Sequence, residues 1–374
     1  MKYFITSDIH SFYTPLINSL QSSGFDINNP EHILVVNGDL FDRGGETVQL
    51  LDFIKSLPKE RRILIRGNHE YLLKELVETK WMPESYDYSN GTVRTCYDLY
   101  INKYKKSSFI KLFNKMYNKM SEDNYYKKYS LHLPGYDFNE TALAQIKTFN
   151  YIAVDIFNDV DIWTRIANYI KKSGLLDWIF GDEWVDYFEV GKYIITHSFI
   201  PLEIPMTFKW GEYFPASDPK YMPNWRECKD SSIWNKATWG CPYTNFDEGY
   251  FNEEIKNGKV LVCGHWHCAD FHIHYEQGIL NEYVLKSARY DYKVNEINQI
   301  YYGDNLIAID GCTLVSGIVN VLVIDDNDFK AYDQHQQELN KEISKGRLVR
   351  KYPKIETVTE SQLLEKRDKE EGLT

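Results

Sequence analysis

Five short apolar runs in this chain end in the same way, and that repetition limits the possible fold more than any other feature. "YFIT" runs into Ser7-Asp8-Ile9-His10, and "HILVVN" into Gly38-Asp39-Leu40-Phe41-Asp42-Arg43-Gly44. "RRILI" leads to Arg66-Gly67-Asn68-His69-Glu70, "KYIIT" to His197-Ser198, and "KVLVC" to Gly264-His265-Trp266-His267. Each run is short, rich in Ile and Val and bounded by turn residues, as a buried strand is. Between the first three lie segments of helical spacing, notably residues 47–57, with Val48, Leu51, Ile54 and Leu57 on one face. Strand, helix, strand is the pattern of a sheet covered by helices. In such sheets ligands collect beyond the carboxyl ends of the strands, and all five polar clusters fall on that edge.

The residue types at these strand ends point to metal. Two Asp, one Asn and four His (Asp8, His10, Asp39, Asn68, His197, His265 and His267) form a ligand set suited to Mn²⁺, Fe or Zn²⁺. Seven ligands exceed one tetrahedral zinc, but they suit two octahedral ions that share a carboxylate, as in two-metal hydrolases. The Asp-x-His and His-x-His spacings fit strand-end loops, where alternate side chains point the same way.

In this order, "SDIH", "GDLFDRG", "RGNHE", "THS" and "GHWH" resemble the calcineurin-like metallophosphoesterase superfamily. The Asp42-Arg43-Gly44 and Arg66-Gly67-Asn68-His69-Glu70 forms resemble its phosphoprotein phosphatase branch in particular. The resemblance implies a four-layer α/β/β/α sandwich of two mixed sheets and a dinuclear site. In it Asp8, His10 and His267 hold one ion, Asn68, His197 and His265 hold the other, and Asp39 bridges them. His69 is then the general acid, oriented by Asp42, while Arg43 and Asn68 contact the phosphate. The physical chemistry agrees, because a water shared by two cations is acidified into a nucleophile near neutral pH. Phosphoryl transfer otherwise needs mainly positioning and charge stabilisation, and the planar fork of arginine matches two phosphate oxygens. The expected reaction is hydrolysis of phosphate monoesters, on phosphorylated protein or on small phosphate esters. A phosphodiesterase or dinucleoside polyphosphate hydrolase on the same scaffold is the alternative.

The sequence departs from the branch at Ser11, at "HSF" and at the second histidine of "GHWH", a feature of the wider superfamily. A second phosphate-binding cation has two candidates, Arg226 and Lys236. The motifs assign residues 1–78 and 190–334 to the catalytic core. Residues 79–189, rich in Tyr, Lys and Asn, read as a helical insertion, and 335–374 as a charged tail. His272 and His274 alternate like a half-exposed strand, Asp310-Gly311 reads as a turn, and residues 307–312 and 319–325 as a closing strand pair. Segment 201–258, with its tryptophans, either walls a pocket or packs as a satellite core.

Composition excludes other classes. The formal net charge of −11 argues against nucleic acid or an anionic membrane as partner. No apolar run reaches transmembrane length, and the six cysteines have no CxxC spacing, which argues against a disulfide framework. Cytoplasmic location is the resulting expectation; oligomeric state has no sequence signal.

Overall fold

The computed structural model describes residues 1–104, 149, 153–154, 159–204, 206–209, 212–215, 218–276 and 295–333. The charged tail and the middle of the 79–189 block, including Ile152 and Ile156 of its helix-period run, lie outside the described residues. In chain order the first half runs β1 (Lys2–Thr6), α1 (Tyr13–Ser22), β2 (His32–Asn37), α2 (Thr47–Ser56), β3 (Arg62–Ile65), α3 (Asn68–Glu78), α4 (Ser85–Ser89) and α5 (Thr92–Lys103). Helices Val160–Lys172 and Leu175–Ile179 follow, then β4 (Trp184–Val185), β5 (Tyr187–Val190) and β6 (Tyr193–Thr196). Four short strands come next: β7 (Leu202–Glu203), β8 (Met206–Lys209), β9 (Glu212–Pro215) and β10 (Lys220–Tyr221). After the helix Ser231–Thr238 come β11 (Val260–His267), β12 (Tyr301–Gly303), β13 (Leu306–Asp310), β14 (Leu322–Asp325) and β15 (Lys330–Tyr332).

Two mixed sheets organise these elements. The first has the order β15-β14-β1-β2-β3-β4, with β1 through β4 parallel and β14 antiparallel to β1. The second has the order β12-β13-β11-β6-β5, with β11 parallel to both β6 and β13. The strands alternate between two cores, as the side-chain period of two requires. On the first sheet Phe4, Leu34, Val36, Leu64 and Val323 point to one core, shared with α1, α2, α3 and α5. Tyr3, Ile5, Ile33, Val35, Ile65 and Ile324 point to the other face, where they meet Ile195, Val262 and Ile309 of the second sheet. Leu261, Cys263, Leu306 and Ala308 fill a third core with Trp225, Trp234 and Phe251. Three cores between four layers make the α/β/β/α sandwich.

Several sequence readings are refined. Helix α2 buries Leu50 and Ile54, while Val48 and Leu51 are only partly buried; its inward face is turned from the expected one. The runs 307–312 and 319–325 are not partners: β13 lies inside the second sheet, between β12 and β11, and β14 inside the first, between β15 and β1. Both are apolar, so the sequence does not say which sheet each joins. His272 and His274 lie on a helical turn after Cys268–Phe271, not on a strand. The described helices of the 79–189 block are built into the helical layer of the first sheet, with Val93, Cys96, Trp163, Ile166 and Ile170 in its core. Its last residues are strands, β4 of the first sheet and the start of β5 in the second, so the expected boundary at 189 cuts through β5.

Arg66 fastens the end of β3. It pairs with Asp186 at 2.7 Å and donates to the carbonyls of Ile179 (3.0 Å) and Trp184 (2.8 Å). The strand end that leads to Asn68 is thereby tied to β4.

Candidate metal centre

The carboxyl ends of β1, β2, β3, β6 and β11 meet where the two sheets abut. Seven non-glycine residues there adopt left-handed backbone: Asp8 (φ 52°), His10 (50°), Ser11 (58°), Asp39 (52°), Asp42 (76°), Arg43 (58°) and His265 (63°). Each such conformation costs of the order of 1–3 kcal/mol, and such strain clusters at functional sites. Gly38 (φ 80°) shows why the turns are tight, since a Cβ there would stand 2.3 Å from the His197 ring. Glu70 locks two of the loops together. Its carboxylate accepts the backbone N–H groups of Gly67 (2.7 Å), Leu40 (3.0 Å) and Asp39 (3.1 Å).

The two oxygens of Asp39 face different histidines. Oδ1 lies 3.3 Å from His197 Nε2 and Oδ2 lies 3.7 Å from His10 Nε2. Two clusters of potential ligand atoms follow, each within 4.8 Å: His10, Asp39 and His69, and Asp39, His197 and His265. Asp39 is common to both. Asn68 Oδ1 is 2.9 Å from His197 Nε2, Asp8 Oδ1 is 3.9 Å from His10 Nε2, and Asp8 Oδ2 accepts the backbone N–H of His265. His267 stands in neither cluster, with its Nε2 3.8 Å from Asp310.

The donor set fits divalent cations. His10 and His197 place Nδ1 against backbone carbonyls, of Phe41 at 3.0 Å and of Asn37 at 2.9 Å. That arrangement fixes an Nδ1–H donor and turns Nε2 to the site, as metal-ligating histidines require. Charge balance points the same way. Burial, with Asp39 nearby, pushes the carboxyl of Glu70 up to about 7; burial likewise raises Asp8, and raises Asp310 far more. Against the pull of burial, Asp39 and Asp8 lift His197 to about 10. Burial, with His197 beside it, lowers His265 to about 3, and burial with Arg43 and His69 lowers His10. Neutral imidazoles beside buried carboxylates are ready ligands.

His69 and Asp42 form a pair on the flank of this centre. Nδ1 of His69 lies 2.7 Å from Asp42 Oδ2, and Arg43 Nη2 lies 3.3 Å from His69 Nε2. Sequence reasoning missed what supports Asp42. The hydroxyls of Thr92 and Thr95, both on α5, donate to its two carboxylate oxygens at 2.7 Å each. Gly91 (φ 86°) lets α5 start against this loop, since a Cβ there would lie 2.2 Å from Arg43 N. Asp310 was also missed; it is 2 % exposed, anchored by the N–H of Cys312, and faces His267. Its Asp-Gly dipeptide carried only a turn signal.

The other candidates lie outside the clusters. Arg226 makes a two-pronged pair with Glu254 (2.8 Å on each arm) and lies on the Trp225 ring. Lys236 lines a cavity with Phe199, Ile200 and Gly240. His272 meets the Gln299 carbonyl, and His274 meets Asp247 at 2.6 Å.

Known proteins resemble parts of this chain. A 76-residue stretch is 37 % identical to bis(5'-nucleosyl)-tetraphosphatase PrpE [asymmetrical] of Bacillus velezensis, covering 18 % of this chain and 30 % of that protein. A 70-residue stretch is 31 % identical to the symmetrical bis(5'-nucleosyl)-tetraphosphatase of Buchnera aphidicola, covering 19 % and 24 %. The matches therefore span less than a third of either relative. The crystal structure of a cold-active protein-tyrosine phosphatase from a psychrophilic Shewanella aligns over 89 % of this chain and 80 % of its own, at 14 % identity and a TM-score of 0.37. The model of the calcineurin-like phosphoesterase family matches residues 1–269, and with the strand-end motifs converging as that family requires, the chain belongs to it.

Proposed function

We propose that this protein is a dinuclear-metal phosphoesterase that hydrolyses small phosphate esters, with monoesters as first choice. One observation carries the reading: the oxygens of Asp39 divide between two histidine clusters. Asp8, His10, Asp39 and His267 would hold one ion, and Asp39, Asn68, His197 and His265 the other. Mn²⁺ is the first choice, with Fe and Zn²⁺ also matched by the donors. Two such cations would acidify a water near neutral pH and neutralise phosphate charge.

The chain's own groups supply the rest. Asp42, held by Thr92 and Thr95, fixes the Nδ1–H of His69. The Nε2 of His69 then holds a proton for the leaving-group oxygen. Arg43, whose Nη2 lies 3.3 Å from that nitrogen, would grip the phosphoryl oxygens. The second reading is hydrolysis of a dinucleoside polyphosphate, favoured by the names of the two sequence relatives. A phosphorylated protein would have to present its side chain to the same centre. A reducing compartment such as the cytoplasm suits six cysteines that are all free.

Asp39→Asn tests the assignment. Elemental analysis should give two equivalents of metal for the wild type and a loss at both sites in the variant, with turnover of p-nitrophenyl phosphate falling in parallel. Two full equivalents in a folded Asp39→Asn protein would refute the shared carboxylate.

A further inference from the structure

Three tryptophans close together in sequence are treated differently by the fold. Trp225 and Trp234 are 0 % and 2 % exposed, and their indole N–H groups bond Glu254 and the Cys228 carbonyl. Trp239 is 41 % exposed. It stands edge-to-face against His265, 5.7 Å between ring centres and 85° between planes. What sets this exposed indole apart is its place at the rim of the candidate centre, against a residue of the second ligand cluster.

The backbone that carries it is fixed. The Gly240 carbonyl accepts the hydroxyl of Ser198, next to His197, and the indole N–H of Trp266 (3.1 Å), next to His265. Both ligand loops thus hold the residue after Trp239, so the ring is presented on a rigid support. Gly240, though not Trp239 itself, lines a mainly apolar cavity of about 650 Å³ next to it, with Phe199, Ile200 and Ile233 in its wall and Glu203 and Lys236 as its charged groups. That volume lies within the roughly 300–1,000 Å³ of small-molecule sites. Phe199 and Ile200 follow His197 directly along the chain, so the cavity adjoins one of the loops that supply ligands.

We propose that Trp239 and this cavity seat the planar heterocycle of the substrate's leaving group, a nucleobase in chemical class, while its phosphate lies at Asp39. The inference rests on the phosphoesterase reading above. Stacking on an indole does not distinguish one base from another, since every base has a π face; Glu203 and Lys236 supply polar groups of both signs for the base edge. A leaving group without a ring would forgo this contact and bind through its phosphate alone.

The test compares AMP with ribose 5-phosphate, which differ by the base. Isothermal titration should show AMP bound ~10-fold more tightly by the wild type, the scale of one base–aromatic stack. Trp239→Leu and Ile233→Trp, the first removing the ring and the second filling the cavity, should each bring that ratio close to one. Trp239→Phe should restore most of it. Equal affinity for the two probes in the wild type, or an unchanged ratio in either of the first two variants, would overturn the seat. Turnover of glycerol phosphate is the separate arm. Its absence from metal-loaded protein, alongside no turnover of AMP, would count against the phosphoesterase reading, while the binding ratios would still decide the seat.

Discussion

Asp42 shows how much chemistry hangs on one side chain. Its two oxygens take three strong contacts, from His69, Thr92 and Thr95, so it has little freedom to reorient. If His69 donates a proton to the leaving group, His69→Asn should keep both metals and lose roughly 10²–10⁴-fold in turnover of alkyl phosphates. The loss should shrink for p-nitrophenyl phosphate, whose leaving group needs no proton. Paired measurements of metal content and rate on the two substrates check this. Equal losses on both, or a loss of metal, would make His69 a ligand, a role its place 3.8 Å from Asp39 also permits. At this scale the sequence was legible for the side chains that gather round Asp39, because each one closes an apolar run; His267 closes one too, yet stands in neither cluster. It was silent on Thr92, Thr95 and Asp310. Threonines on a helix carry no periodic signal, and a buried Asp before Gly looks the same as one in a surface turn.

Helices and loops add a different kind of evidence. Arg226 invites a phosphate-binding reading from sequence, as a cation in an aromatic stretch, but its guanidinium is committed to Glu254 and Glu189. Glu254 is 1 % exposed and also takes the indole N–H of Trp225. Burial opposes its charge, yet Arg226 and Trp225 hold its carboxyl down at about 2. A carboxyl with a depressed native pKa stabilises the fold above its unfolded value near 4.5 and loses that contribution as pH falls towards 2. Arg226→Ala should therefore cost about 2 kcal/mol in urea unfolding at pH 7, the scale of a charge-assisted hydrogen bond. The gap between wild type and variant should narrow below about pH 4.5, while metal content stays unchanged. A stable variant with weakened phosphate binding would return Arg226 to the site. The same limit on reading sequence applied to α2, where two candidate apolar faces overlap and only packing against the first sheet chose Leu50 and Ile54.

Across the whole molecule, a sheet covered by helices was readable because five strands announce themselves, and the family resemblance added the second sheet; the separation of β13 from β14 was not readable. An alternating strand states that it has two faces, and leaves open which sheet will cover them. The alternation does predict where damage spreads. Leu34 is fully buried in the core between the first sheet and its helices, so Leu34→Ala should cost about 3 kcal/mol by leaving a cavity. Chemical unfolding measures it, and metal stoichiometry at pH 7 should remain two if the proposed site is right, since the candidate ligands hang from the strand ends rather than from that face. The pairing of Ile5 with Leu322 bears on how the molecule is made. A nascent chain leaving the ribosome exposes β1 long before β14 exists. Until then the first strand has a bare edge, open to any passing strand. Closing so distant a contact is slow, and a chain of this length exposes unpaired edges while it waits. The same strand that delivers Asp8 to the centre is therefore the one most in need of protection during synthesis.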